Sequence, residues 1–288
     1  MVVKKIVYQL PSFIGDTPLV PLRRILKSRH GITVYAKLEL CSVGGSMKDR
    51  AAFNMVQQAL LKKAVRPGDA IIESSSGNMG IGLALACKYY GLQFTCVIDE
   101  RTSEHTVDVL QSLGANIVRV SSDDLKGGET LLEGRLRILK HIVETQRNVY
   151  WTNQYANPAN SEAYAMMMEE ICARLGKEPD YIFCATGTCG TIRGCSDHIQ
   201  KAGLHTKVIA VDAIGSVIFG GKPEPRLLPG HGAALKPDLF RGGMCEEVIH
   251  INEKEAVTGC HKLRDSEAIF AGGSSGAIIS ALEKMYTR

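Results

Sequence analysis

Four short segments combine glycines, hydroxyls and single charges at spacings that could do chemistry, and each is expected at the end of a strand. In residues 41–50, CSVGGSMKDR, two glycines make a tight turn and Lys48 then opens a helix. A helix N-terminus favours anions, so a lysine there is misplaced for the dipole. The misfit has a use, because a nearby positive end and burial both depress an amine's pKa, as Schiff-base chemistry requires. In isolation the same lysine reads as a surface residue. Residues 73–80, ESSSGNMG, bring three hydroxyls and backbone amides to a helix start, which suits a carboxylate. A plain capped turn accounts for the serines and Asn78 equally well. Residues 187–191, GTCGT, offer glycine amides, two threonine hydroxyls and the next helix's N-terminus to a phosphate. The lysine of a P-loop is missing, so the cradle is one of neutral donors or else a glycine-rich turn. In residues 272–277, GGSSGA, Ser274 or Ser275 would cap the last helix or reach a ring nitrogen in a cleft.

These segments need a frame that sets them side by side. Short apolar runs predict strands over residues 34–40, 70–73, 94–99, 116–120, 181–185, 207–212 and 248–251. Between them, amphipathic periodicity predicts helices over 47–62, 78–90, 104–113, 128–145, 160–175, 191–202, 253–263 and 275–286. Such alternation predicts an α/β fold of mostly parallel sheets flanked by helices. Gly91 and Gly114 are placed to stop their helices, and Pro158 to precede one. The stretch WTNQYANP, within residues 149–158, breaks the alternation and marks a lobe boundary, while residues 215–241 form a long irregular segment. Open α/β sheets bind ligands beyond the carboxyl ends of their strands, which is where these loops are expected.

Composition narrows the class. With 34 basic and 30 acidic residues among 288, the net charge of +4 gives no electrostatic case for nucleic acid. The nine cysteines are odd in number and lack C-x-x-C spacing, which argues against a disulfide framework or a structural zinc. The N-terminal stretch has no long apolar core and no run long enough to span a membrane, so a cytoplasmic protein is expected. Gly77, Gly80 and Gly82 do not make the G-x-G-x-x-G order of a dinucleotide site.

In order along the chain, GGSMKDR, SSSGNMG, GTCGT and GGSSGA resemble the fold-type II pyridoxal phosphate (PLP) enzymes of the cysteine synthase and cystathionine β-synthase family. The opening GDTPLVPL is similar to that family's N-terminus, and the resemblance runs from Ile14 to the end of the chain. It implies that Lys48 carries PLP as a Schiff base and that Asn78 bonds the ring hydroxyl. By the same resemblance Gly187, Thr188, Cys189, Gly190 and Thr191 hold the phosphate, Ser274 faces the pyridine nitrogen, and Ser75, Ser76 and Gly77 grip the substrate carboxylate. Residues 41–150 would form a smaller mobile lobe, and 1–40 with 151–288 a larger lobe that holds the cofactor phosphate. A homodimer acting on small amino-acid substrates is implied as well. The family continues past this point with a further strand and a glycine-rich tail, so a shortened chain is expected.

Two departures point to a narrower branch. Met79 stands where the family has Thr, and Cys189 where it has Gly. ESSSGNMG, YWTNQYANP, VDAIGSVIFGG and RLLPG are similar to the enzymes that make 2,3-diaminopropionate precursors for siderophores and antibiotics. That branch implies β-replacement through an aminoacrylate: O-phospho-L-serine loses phosphate, and the amine of L-glutamate adds to its β-carbon. Arg135 lies where the branch keeps an arginine and is the first candidate for the second substrate's carboxylates, with Arg226 the second. Tyr155 would orient substrate or shield the β-carbon from water, and Met79 would shape the pocket beside the carboxylate loop. A cysteine synthase using O-acetylserine or O-phosphoserine with sulfide is the alternative.

Overall fold

The computed structural model describes residues 14–25 and 31–287; residues 1–13, on which part of the N-terminal reading rests, lie outside the described residues. The first sheet contains β3 (Ala70–Ser74), β4 (Gln93–Asp99), β5 (Asn116–Val120) and β6 (Val149–Trp151), all parallel, in the order β5-β4-β3-β6. Ile71 and Ile72 point to opposite faces of β3 and both are fully buried. A strand covered on both sides reads as a continuous apolar run, which is why AIIE was legible. The second sheet, β7 (Tyr181–Ala185), β8 (Lys207–Ala213) and β9 (Glu247–Ile251), is parallel in sequential order. An antiparallel pair, β1 (Leu19–Leu22) and β2 (Val34–Lys37), stands apart from both.

Helices cover these sheets: α1 (Lys48–Leu61), α2 (Asn78–Tyr90), α3 (Glu104–Ser112), α4 (Leu131–Thr145), α5 (Pro158–Glu162), α6 (Ala165–Leu175), α7 (Gly190–Ala202), α8 (Glu253–Glu267) and α9 (Gly273–Tyr286). The predicted α/β architecture is the observed one. Gly91 and Gly114 take left-handed φ angles of 68° and 84° at their helix ends, as predicted. One apolar core runs from α1 and α2, through Met55 and Leu83, to Tyr164, Met168 and Ile192 beside the second sheet. The two sheets therefore share their packing.

Several boundaries differ from the sequence reading. The stretch read as a lobe boundary begins with a real strand, β6, paired to β3. β1 was not foreseen; Pro21 within it is tolerated because a two-stranded pair leaves edge positions free. α4 starts three residues later than periodicity suggests, because Thr130 and Glu133 form a capping box. The helix predicted over 160–175 is two helices, α5 and α6, and Pro158 is the first residue of α5 rather than its predecessor. Of the four segments, 187–191 and 73–80 do leave strands, whereas a 3-10 turn, Glu39–Cys41, separates the first from β2, and the fourth joins α8 to α9.

Candidate active site

Lys48 is the first residue of α1, as its glycine turn predicts. The turn is held from below. Asp49, fully buried, accepts the Gly44 amide at 2.6 Å. Arg50 reaches Glu39 at 2.7 Å and Glu170 at 2.8 Å, and Lys37 reaches Glu170 at 2.5 Å. Removing one partner from such a buried ionic cluster costs about 3–5 kcal/mol, so the turn has little freedom. Burial pushes the Lys48 amine below its ordinary pKa. Burial also raises Asp49, outweighing the hydrogen bond it accepts from the Gly44 amide.

The serine loop rests on a carboxylate that the sequence reading passed over. Glu73, fully buried at the end of β3, accepts from Thr152 Oγ1 at 2.7 Å, the Ser74 amide at 2.8 Å and the Gln154 amide at 2.9 Å. Gln154 Nε2 in turn donates to the Ser74 carbonyl at 2.9 Å. Burial raises the Glu73 carboxyl, against those bonds. The available signal was an acidic residue inside an apolar strand. Ser75 Oγ accepts the Gly80 amide at 3.0 Å and so shapes the turn, while Ser76 and Gly77 stay half-buried at its tip. Asn78 opens α2 and is exposed to the cleft, whereas Met79 is 3% exposed and joins the core beneath the loop.

At the GTCGT loop, α7 begins at Gly190 and Cys189 is its N-cap, in the left-handed region at φ 63° and 2% exposed. Thr188 and Thr191 line the cleft; Cys189 and Gly190 lie behind it. Asn160, 1% exposed, donates to the Gln154 carbonyl at 2.7 Å and to Thr188 Oγ1 at 3.3 Å. A Cβ at Gly190 would collide with the Asn160 amide, so only glycine lets the helix start sit this close. At the fourth segment Gly272, not a serine, is the N-cap of α9, and Ser274 and Ser275 are left facing the cleft.

Lys48, Ser75, Ser76, Gly77, Asn78, Arg135, Tyr155, Gly187, Thr188, Thr191 and Ser274 line one cleft of about 2310 Å³. The cleft extends past Phe183 and Lys207 along the outer edge of β7, so it is larger than a single-substrate pocket. Arg135 of α4 pairs with Asp99 at 3.2 Å, and its Nη1 is buried without a hydrogen-bond partner. Arg226 donates to the His231 carbonyl at 3.1 Å, and its Nε is likewise unpartnered. Both arginines act on the Tyr155 hydroxyl, whose pKa burial raises. A depressed amine, a helix N-terminus with no room for a Cβ and a serine in the same cleft fit PLP. Among the described residues no group of three or more His, Cys, Asp and Glu could hold a metal, and no helix is long and apolar enough to cross a membrane.

The sequence profile of the family described as "Pyridoxal-phosphate dependent enzyme" matches residues 10–288. The chain is 42% identical over 273 residues to an N-(2-amino-2-carboxyethyl)-L-glutamate synthase of Cupriavidus metallidurans, covering 94% of this chain and 79% of that one. It is 39% identical over 289 residues to the enzyme of the same name from Ralstonia nicotianae, covering 100% and 83%. The crystal structure of O-acetylserine sulfhydrylase isoform 3 from Entamoeba histolytica superposes with a TM-score of 0.87 at 29% identity, covering 97% of this chain and 83% of that one.

Proposed function

The chain belongs to the pyridoxal-phosphate-dependent enzyme family, and we propose that it joins the amine of L-glutamate to the β-carbon of O-phospho-L-serine, giving N-(2-amino-2-carboxyethyl)-L-glutamate and phosphate. It is a β-substituting enzyme, and PLP is its cofactor. When bound, the cofactor supplies an electron sink for charge at the amino acid's α-carbon. Lys48 would hold it, with Asn78 at the ring hydroxyl, residues 187–191 at the phosphate and Ser274 at the ring nitrogen. Ser75, Ser76 and Gly77 would orient the substrate carboxylate. The Lys48 amine, kept below its ordinary pKa by burial, takes the α-proton and later returns it. Met79, 3% exposed at the cleft, would shape the pocket beside the carboxylate loop.

The observation that carries this reading is the pair of cleft arginines with unsatisfied donors. Arg135 Nη1 and Arg226 Nε are buried, unpartnered donors on residues that line the cleft. An unsatisfied buried donor costs about 1–3 kcal/mol, which a second anionic substrate would recover. Acetylserine with sulfide needs no such cations. Residues 41–150, Arg135 among them, would be the lobe that closes over the cleft, with Tyr155 near the junction shielding the reacting carbon from water. A homodimer is part of the same reading. Nine free cysteines suit a reducing compartment, the cytoplasm, and the product would serve 2,3-diaminopropionate-containing siderophores or antibiotics.

The likeness to O-acetylserine sulfhydrylase favours cysteine synthesis as the second reading. Supplying O-phosphoserine with glutamate or with sulfide, and measuring phosphate release and product mass, separates the two. Product with sulfide alone would remove the glutamate reading.

A further inference from the structure

One wall of the cleft holds two buried polar side chains, His231 and Asp212, without a role in the steps above. His231 is 3% exposed and lines the cleft, yet neither ring nitrogen has a hydrogen-bond partner. Asp212, fully buried near the end of β8, uses Oδ1 to accept from Thr186 Oγ1 at 2.8 Å and from the Ala213 amide at 2.9 Å, while its Oδ2 accepts nothing. With Arg226 Nε, that makes four unsatisfied polar atoms in one place, where buried groups are ordinarily paired.

The cluster is built in. The Gly232 amide donates to the Thr186 carbonyl at 2.8 Å. Gly232 has a left-handed φ of 72°, and a Cβ there would stand 2.7 Å from Arg226 Nη1 and 2.9 Å from Ala213 Cβ. The neighbouring phosphate loop is just as close, since a Cβ at Gly187 would lie 3.0 Å from the Gly230 carbonyl oxygen.

We propose that His231, backed by Asp212, is the base that takes a proton from the incoming amine. The proposal rests on the reading that the second substrate is an amino acid. Such an amine arrives as an ammonium and has no lone pair with which to attack. Lys48 is engaged with the α-proton, so a second base is needed. The ammonium N–H bond breaks, its proton passes to a free ring nitrogen of His231, and the freed lone pair forms the N–C bond to the β-carbon that phosphate has left. The His231 proton then passes to solvent, where the released phosphate takes up an equivalent one.

The charged groups acting on His231 are Asp212 from β8 and Arg226 from its own loop. Burial lowers the ring's pKa, outweighing the upward pull of Asp212, and Arg226 pushes the same way. The ring is thus neutral near pH 7, the form that can accept a proton. Arg226 beside it would hold a carboxylate of the same substrate.

The test compares wild type, His231→Gln and His231→Asn holoenzymes given O-phosphoserine with either glutamate or sulfide. Hydrosulfide arrives already deprotonated and needs no base. Capture of glutamate is expected to fall about 10²-fold near pH 7 in the variants and to recover as rising pH frees the amine without a base, with a far smaller loss for sulfide. Equal losses for both nucleophiles, or an unchanged pH profile, overturn the proposal. A readout independent of turnover and of the variants is NMR of [15N]histidine-labelled wild-type holoenzyme. A His231 ring that is neutral between about pH 6.5 and 8 is expected, and one protonated throughout overturns the assignment. If wild type makes product only with sulfide, the glutamate reading falls and this one with it. If all three proteins capture glutamate equally, only the role of His231 falls.

Discussion

Lys48 is the residue on which the proposed chemistry turns, and its test does not depend on knowing the second substrate. Lys48→Ala is expected to abolish the absorbance band of the cofactor–lysine Schiff base. Loss of the acid–base step alone should lower turnover by 10²–10⁴-fold, on the order usual for such groups. A band that survives would assign the cofactor to another lysine. Because burial holds the amine below its ordinary pKa, the reactive neutral form persists to lower pH than for a surface lysine. Cofactor added back to stripped protein should therefore bind at a rate that rises with pH through an inflection below 10.5, the ordinary value. Arg135 makes a different demand. Arg135→Gln removes the cation facing Tyr155 and leaves Asp99 unpaired. The KM for the anionic substrate it is proposed to bind should rise about 10–100-fold, the worth of a charge-assisted hydrogen bond, with a smaller change in kcat. A variant whose KM is unchanged for both O-phosphoserine and glutamate would remove Arg135 from substrate binding.

At the scale of elements, the start of α7 and the loop before α5 are joined through Asn160. Gly190→Ala places a methyl against its amide, an overpacking that should cost about 1–3 kcal/mol in the cofactor-free protein and weaken cofactor binding. Asn160→Ala vacates that space, so the double variant should be more stable than the two single losses sum to, in thermal unfolding at fixed pH. Strict additivity would mean the collision is relieved elsewhere. These contacts also mark how far the sequence could be read. The placement of Lys48, the serine loop and the GTCGT loop at helix starts was legible because each is a local pattern of glycines, hydroxyls or a charge at an element boundary. Strands buried on both faces were legible as apolar runs, but β6 has three residues next to a polar stretch and gave no such run. Glu73 and Asn160 were illegible for another reason. Glu73 acts on residues 79 and 81 positions away, and Asn160 on one 28 positions away. Their importance comes from contacts that only the folded chain creates.

For the molecule as a whole, pH acts through buried carboxylates that pull in opposite directions. Burial pushes Glu170 up, but the bonds from Arg50 and Lys37 outweigh it and hold the carboxyl at about 2, below its ordinary 4.5. A depressed folded pKa contributes stability that is fully present above the unfolded value and is lost as pH falls through the folded one. For Glu170 that window runs from about 4.5 down to 2, and a difference of this size corresponds to roughly 3 kcal/mol. Asp49 and Glu73 are raised by burial, so their contribution has the other sign and weakens as pH rises through their folded values. The wild-type acid profile is the sum of both, and substitutions separate them. Glu170→Gln should lower unfolding free energy at pH 7 by about 3 kcal/mol, with the gap to wild type closing as pH falls toward 2. Glu73→Gln, which keeps the shape and removes the buried charge, should show a difference from wild type that moves in the opposite direction with pH. Urea unfolding at a series of pH values reads both. Parallel curves for wild type and Glu170→Gln would mean that the cluster beneath Lys48 holds the turn by shape and hydrogen bonding rather than by charge.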